Sequence, residues 1–275
     1  MSSRTGIIVT GDPHCGGSTG LMPSEGIKLD DGNLVLPNLF QEWAWDKWLK
    51  AWERSKLLTA DCDKIIVILN GDLVDGNHHS TTQLISANPS VQVKIAKAAL
   101  SPIRDLKPEE LYVVRGTAAH GGESGSIEEI IAEHIGAKPD PDTGSFSRWK
   151  LDLQVKDIWV QAFHHGRLGA RKWTEQNALH GLAWDIRTSY DSVGSKAPDL
   201  VFTAHQHGWG DSGLFSCPTR VLLSPGWQGA TQYVHRTMIG KAGIVPVGMW
   251  VAVIEEGEEP VVQAVRFKAR VQGPN

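Results

Sequence analysis

Five short segments carry the residue types from which metal sites are built. They read Asp12-Pro13-His14, Gly71-Asp72-Leu73-Val74-Asp75-Gly76, Arg115-Gly116-Thr117-Ala118-Ala119-His120, His164-His165-Gly166 and Ala204-His205-Gln206-His207. Carboxylate oxygens mixed with imidazole nitrogens suit Mn, Fe, Zn or Ni better than Ca or Mg, which want all-oxygen shells. The candidate ligands are too many for one ion and fit two ions sharing a bridging carboxylate. Each segment alone has an ordinary reading. An Asp after Gly at a strand end is most often a turn former or helix N-cap, and a lone His-x-His is most often surface decoration. Five such segments in order make independent coincidence a poor explanation. No Ser-His-Asp or Cys-His pairing competes, and Cys15, though beside His14, reads as a small buried residue.

What these segments share is their place. Residues 6–10 (GIIVT), 64–70 (KIIVILN), 111–114 (LYVV) and 200–203 (LVFT) are short apolar runs rich in β-branched residues, the pattern of buried strands. Residues 149–155 and 158–164 alternate around Lys156-Asp157 and predict a hairpin. The five segments follow strand exits, and parallel α/β sheets form their ligand sites outside the carboxyl ends of strands. Helices are expected over 38 to about 58, 89 to about 106, 126–135 and 173 to about 187. The first is expected to place Trp45, Trp48, Leu49 and Trp52 on one face, and the third to open with a Ser126-x-x-Glu129 capping box. Residues 214–216, 220–223, 249–254 and 261–268 read as antiparallel strands. The order βαβαβ followed by mostly antiparallel β predicts α/β layers with a mixed sheet, helices covering two stacked sheets.

The 275 residues have 41% hydrophobic content and support one sizeable core, so residues 1–275 are expected to form a single domain. Lys and Arg number 27 against 31 Asp and Glu, a formal charge of -4. That excludes a general basic footprint for nucleic acid, though not a local patch. Three scattered cysteines make no disulfide framework, and the N-terminus has no signal-peptide pattern. The expectation is an intracellular, cytoplasmic chain. The longest uncharged apolar stretch, 242–254, is too short to span a membrane.

In series, Asp-x-His, Gly-Asp-x-x-Asp-Gly, Gly-x…His, His-Gly and His-x-His resemble the calcineurin-like metallophosphoesterase family, over residues 7–207. The resemblance implies a four-layer α/β-β/α sandwich of two mixed sheets flanked by helices, with a dinuclear metal centre at the strand ends. It implies that Asp12, His14 and His207 hold one metal, that Asp72 bridges, and that His165 and His205 hold the second. His165 is preferred to His164 because the family histidine usually stands directly before the Gly; His164 is then an outer donor or a strand residue facing the other way. Asp75 orients a ligand or caps the next segment. The chain departs from the family at its third block, Gly-Asn-His-Asp/Glu, where it has Gly116-Thr117-Ala118-Ala119-His120. This Gly-Thr-x-x-His version resembles phage and prophage members. Either Thr117 stands near the metal or His120 has become a ligand; His120 is open between ligand and general acid. Ala204 stands where the family has Gly.

The implied activity is hydrolysis of a phosphoester, expected to be a phosphodiester of nucleotide or nucleic-acid type, by a hydroxide bridging two divalent ions. Manganese is the expected metal, with Fe, Zn, Ni or Mg as alternatives. Arg115, Arg167 and Arg171 could hold phosphate oxygens, and His78 and His79 could line the cleft, although solvent-exposed roles compete for each. Two alternatives stand beside this reading: a phosphomonoesterase with the same site, and a non-catalytic metal-binding scaffold. The expected partner is the phosphoester itself, a nucleotide or single-stranded nucleic acid, with a homodimer left open. Eleven tryptophans are chiefly packing residues. A stacking surface on the helix carrying Trp43, Trp45, Trp48 and Trp52 would need nearby basic residues on its exposed side, and Trp209 and Trp227 are the loop candidates for a stacking or gating role.

Overall fold

The computed structural model describes residues 3–78, 80–166, 175–237 and 246–268. In chain order the elements begin with β1 (Arg4–Thr10), β2 (Ile27–Lys28), β3 (Leu34–Val35), α1 (Leu39–Leu58) and β4 (Lys64–Asn70). Then come α2 (Pro89–Ala99), α3 (Ile103–Leu106), β5 (Glu110–Val114), α4 (Ala118–Gly121), α5 (Ser126–Ile135) and β6 (Ser147–Arg148). The remainder are β7 (Lys150–Val155), β8 (Ile158–Phe163), α6 (Glu175–Asp191), β9 (Leu200–Thr203), β10 (Gly210–Asp211), β11 (Arg220–Leu223), α7 (Gln232–Thr237), β12 (Pro246–Glu255) and β13 (Val261–Lys268).

Two mixed sheets result. The six-stranded sheet runs β13-β12-β1-β4-β5-β6, parallel from β1 to β6 and antiparallel from β1 out to β13. The five-stranded sheet runs β10-β11-β9-β8-β7, parallel in its centre and antiparallel at both edges. Alternation along the strands sorts their side chains into separate cores. Ile8, Val67, Leu69 and Val113 face α1, α2 and α5, whose Trp48, Ile95 and Ile131 complete the first core. Ile7, Val9, Ile66 and Ile68 face the other way and meet Leu151, Val160, Leu200 and Phe202 of the second sheet. Val201, Val221 and Leu223 pack outward against Leu179 and Ala183 of α6. Helices, sheet, sheet and helix thus make the four layers expected from the sequence.

Several local expectations are corrected. The helix expected over 89 to about 106 breaks into α2 and α3 around Ser101-Pro102, where proline removes a donor and clashes with the preceding turn. Along α1 the buried face is Gln41, Ala44, Trp48, Ala51, Trp52 and Ser55, whereas Leu49 is exposed. The Ser126 capping box is absent. Gly125, with φ 67°, is the N-cap, and Glu129 instead accepts from the backbone of Phe146 and Ser147 and from the Ser147 hydroxyl. Residues 214–216 form no strand; Leu214 and Phe215 are exposed there. Among the described residues no helix is long and apolar enough to cross a membrane.

Candidate metal centre

The site forms where the exits of β1, β4, β5, β8 and β9 meet. The loop after β1 is stitched to the loop after β4: Asp12 N donates to Gly71 O at 2.9 Å, His14 N to Asp72 O at 3.1 Å and Asp75 N to Cys15 O at 3.0 Å. The Asn70 amide donates to the carbonyls of Phe163 (3.2 Å) and Phe202 (3.4 Å), which ties β4 to the exits of β8 and β9 in the other sheet. The turns are sharp. Asp12, His14, Asp72, His205 and His207 all have positive φ, between 44° and 70°. Asp and His tolerate this region better than most residues, yet it costs about 1–3 kcal/mol each, and such strain gathers where side chains must be aimed.

The aim is inward. His14 Nδ1 donates to Asp75 Oδ1 (3.1 Å), His164 Nδ1 donates to the Asn70 carbonyl (2.7 Å), and His120 Nδ1 donates to the Asp75 carbonyl. Each bond fixes a ring and leaves Nε2 toward the cluster, the arrangement by which outer partners orient metal-binding histidines. His14 Nε2 and His207 Nε2 lie 3.0 Å apart. Asp12 Oδ1 is 3.3 Å from His207 Nε2, 3.8 Å from His14 Nε2 and 3.8 Å from His164 Nε2. Asp72 Oδ2 is 3.0 Å from His164 Nε2, 3.8 Å from His120 Nε2 and 4.0 Å from His14 Nε2. Thr117 N (2.7 Å) and its hydroxyl (3.2 Å) both donate to Asp72 Oδ1. Four groups of ligand atoms emerge: Asp12–His14–His207, Asp72–His164–His205, His14–Asp72–His120 and Asp75–His78–His120.

A divalent cation fits this donor set. Asp12 Oδ1 is fully buried with no hydrogen-bond partner, an uncompensated loss that a cation would relieve. The metal-free electrostatics tell the same story. Burial works against charge on the His14 ring, but the carboxylates of Asp12, Asp75 and Asp72 outweigh it and raise the pKa to about 10. His164 is likewise held down by burial and raised more by Asp72 and Asp12, to about 9. Asp12, Asp72 and Asp75 are pushed up by burial and pulled further down by these imidazoles, to a net position below the carboxylate range. Burial, then the charge on His14, lowers His120 to about 4. His205 also falls to about 4, through burial and the neighbouring His165 and His164.

Most residues predicted from the sequence are gathered here, with one difference in the grouping. The structure groups His164, not His165, with Asp72 and His205. Alternation puts His164 on the same side as Ala162, toward the first sheet, while His165 is exposed with its ring centroid 4.1 Å from that of His205. His78 is drawn in, its ring 4.5 Å from that of His120. Arg115 points away: its guanidinium donates to Ser147 Oγ (2.8 Å) and Glu129 Oε2 (3.4 Å). His79, Arg167 and Arg171 lie outside the described residues. Ala204 is accommodated, fully buried, with its N–H donating to His164 O. Trp227 is a packing residue, fully buried on Trp48 and donating to Thr10 Oγ1.

Sequence reasoning missed Glu128. Its carboxylate, 0% exposed, accepts from Gly116 N (2.7 Å) and Leu73 N (3.3 Å), directly behind Asp72 and Thr117. Burial first, then the charge on Asp72, raises its pKa to about 7. No motif marks it, because its partners are backbone groups distant in sequence. Gln228, which donates to Asp75 Oδ1 at 2.9 Å, was missed for the same kind of reason.

Comparison with known proteins finds no matching family model and no matching curated protein. Among solved structures the chain is similar to Vps29 of Cryptosporidium parvum, at 12% identity over 97% of this chain and 100% of that one, with a TM-score of 0.41. It is similar to an archaeal phosphodiesterase at 12% identity, over 94% of this chain and 99% of that one, with a TM-score of 0.39. A third is the sulfate thiohydrolase SoxB of Thermus thermophilus, at 9% identity over 96% of this chain and 57% of that one, with a TM-score of 0.45. Likeness this slight says nothing of what the chain does.

Proposed function

We propose that this chain is a metal-dependent phosphoesterase that hydrolyses phosphodiesters at a centre of two divalent cations. Asp12, His14 and His207 would hold one ion, His164 and His205 the other, and Asp72 would be shared. The observation that carries this reading is the convergence of these imidazoles on Asp72 Oδ2 and on a buried, unpartnered Asp12 Oδ1. When bound, such a pair supplies Lewis-acid activation of a phosphoryl group and of water. Manganese is the expected metal.

The chain's own residues aim and support that chemistry. Asp75 and Asn70 hold His14 and His164 through Nδ1, so neither ring can turn its Nε2 away. Thr117 engages Asp72 Oδ1 and leaves Oδ2 to the imidazoles. His120 donates through Nδ1 and, lowered to about 4, keeps a lone pair on Nε2 at neutral pH. We assign it the place of the family's absent Asn beside Asp72. The preference for diesters over monoesters rests on the sequence resemblance.

The test is the metal content of purified protein, with Mn-dependent hydrolysis of bis-p-nitrophenyl phosphate set against p-nitrophenyl phosphate. The expected result is about two equivalents of metal and faster hydrolysis of the diester. Asp72→Asn should lose more than the roughly 10–100-fold that removal of an outer partner costs. His120→Ala should lose one equivalent; if it keeps both and loses only turnover, His120 is a proton donor instead. Wild type with neither bound metal nor Mn-dependent hydrolysis would sink the proposal; bound metal without hydrolysis would leave the metal-binding scaffold reading.

A further inference from the structure

An edge strand presents unpaired backbone N–H and C=O groups that another chain can pair with, unless the edge is guarded. Of the edges of the two large sheets, three are guarded. β6 and β10 are two residues long, and β7 carries exposed Lys150, Asp152 and Gln154 between its inward residues. β13, the fourth, is eight residues long, and among the described residues it pairs with β12 alone. Their register is unbroken from Val253–Val261 to Pro246–Lys268, with no bulge to twist the edge away. No proline and no charge interrupts Val261-Val262-Gln263-Ala264-Val265, a composition that recruits further strands.

The surface beside this edge is apolar as well. Val261 is 52% exposed although it shares a face with Val265, which reaches the first core, and with Phe267, which packs against that core. Arg54 of α1 lies over the Phe267 ring at 4.8 Å, and Leu57, its i+3 neighbour, is 75% exposed. On the other face Arg266 lies over the Trp209 ring at 5.5 Å, and that ring stacks on Trp250.

Charge says what pairs here. The turn that enters β13 carries Glu256, Glu258 and Glu259, all exposed, and the strand ends on exposed Arg266 and Lys268. Acid at one end and base at the other complement each other when the strand lies antiparallel to its own copy, and repel when the copies lie parallel. A two-fold axis through Gln263 sets Val261 opposite Val265 of the second copy and brings Glu258 level with Lys268 at both ends.

We propose that two copies of this chain associate edge to edge through antiparallel β13 strands, about a two-fold axis at Gln263, so that one sheet runs through both. The proposal stands apart from the phosphoesterase reading. β1 and β13 are both antiparallel to β12, so β13 runs parallel to β1, whose exit carries the metal cluster. The two-fold therefore turns the two clusters to opposite ends of the joined sheet, and each copy keeps a complete site.

The experiment measures mass in solution by light scattering after size exclusion, over a range of loading concentrations. Wild type should approach twice the mass of one chain. Arg266→Glu with Lys268→Glu makes both ends of the strand acidic, and Glu256→Lys with Glu258→Lys makes both ends basic. Each double variant alone should lose the dimer, and an equimolar mixture of the two should recover it, with melting temperature reporting that each is folded. A monomeric wild type, a dimer retained by either double variant, or a mixture that stays monomeric overturns the proposal. If a double variant fails to fold, the exposed position on the axis decides instead. Directly opposed residues of antiparallel strands lie within disulfide reach, so Gln263→Cys with oxidised glutathione should give a disulfide-linked dimer that wild type does not give. Monomer alone, or the same product from wild type, overturns the β13 interface.

Discussion

Proton inventory sets the behaviour of the individual side chains. In the metal-free protein His14 and His164, at about 10 and about 9, are both cationic at pH 7, each facing a carboxylate that a metal would also want. An ion must displace a proton from each ring before it can bind through Nε2. Titration of Mn2+ at pH 7 into apoprotein, in two buffers of different ionisation enthalpy, should therefore show net proton release, falling off above pH 10. Proton-neutral binding would mean that the ion sits elsewhere. Glu128 acts one step further out, on the backbone that carries Asp72 and Thr117. Glu128→Gln keeps an acceptor for Gly116 N but turns an amide donor toward Leu73 N. It should weaken Mn2+ binding about 10–100-fold, the scale of an outer-partner loss, while apoprotein melting changes little because a buried carboxylate is also removed. A fall in melting temperature with unchanged Mn2+ affinity would reduce Glu128 to a packing role.

At the scale of elements, what was legible in the sequence depended on whether the signal was local. Runs such as KIIVILN announce buried strands, and the Gly-Asp, His-Gly and His-x-His that follow them announce the exits. The choice between His164 and His165 was not legible, since it is a matter of one-residue strand parity fixed by pairing with β7 and β9. The capping box at Ser126 misled because Glu129 finds better donors at Phe146 and Ser147, groups that only the fold brings near. Gly116 shows why an exit needs a particular residue. A Cβ there would lie 2.1 Å from Asp72 Oδ1 and 2.2 Å from Asp72 N, and Gly71, with φ 80°, is crowded in the same way by the His164 ring. Because the obstacle at Gly116 includes backbone, Gly116→Ala must separate the β4 and β5 exits. It should cost about 1–3 kcal/mol of stability and, unlike Glu128→Gln, lower both melting temperature and Mn2+ affinity. Wild-type values in both would show that the two exits can part freely.

For the molecule as a whole, the decisive fact is that the cluster draws on both sheets. Asp12, His14, Asp72 and His120 come from exits of the first, and His164, His205 and His207 from exits of the second. An ion pair there would staple the two layers at one end of the apolar interface that Ile7, Ile66 and Phe202 help to form. Binding to the folded state alone then stabilises it by RT ln(1 + [L]/Kd), about 2.7 kcal/mol at a hundred times Kd. The pH dependence without metal follows from the shifts. His14 and His164 have folded pKa values raised above an unfolded 6.5, so their contribution is complete below pH 6.5 and is lost as pH rises through about 9 and about 10. His120 and His205, lowered to about 4, act oppositely: their contribution is complete above pH 6.5 and is lost as pH falls through 4. Of these four histidines only the first pair titrates between pH 7 and 10, and Cys15, whose thiol is pushed up by burial, acts in the same sense at the top of that window, so the melting temperature of the apoprotein should fall across it. Saturating Mn2+ should flatten the decline, since the ion takes over the role of those protons between the same carboxylates. Thermal unfolding at several pH values, with chelator and with Mn2+, measures both curves; parallel curves would mean that the ion does not replace the protons of His14 and His164.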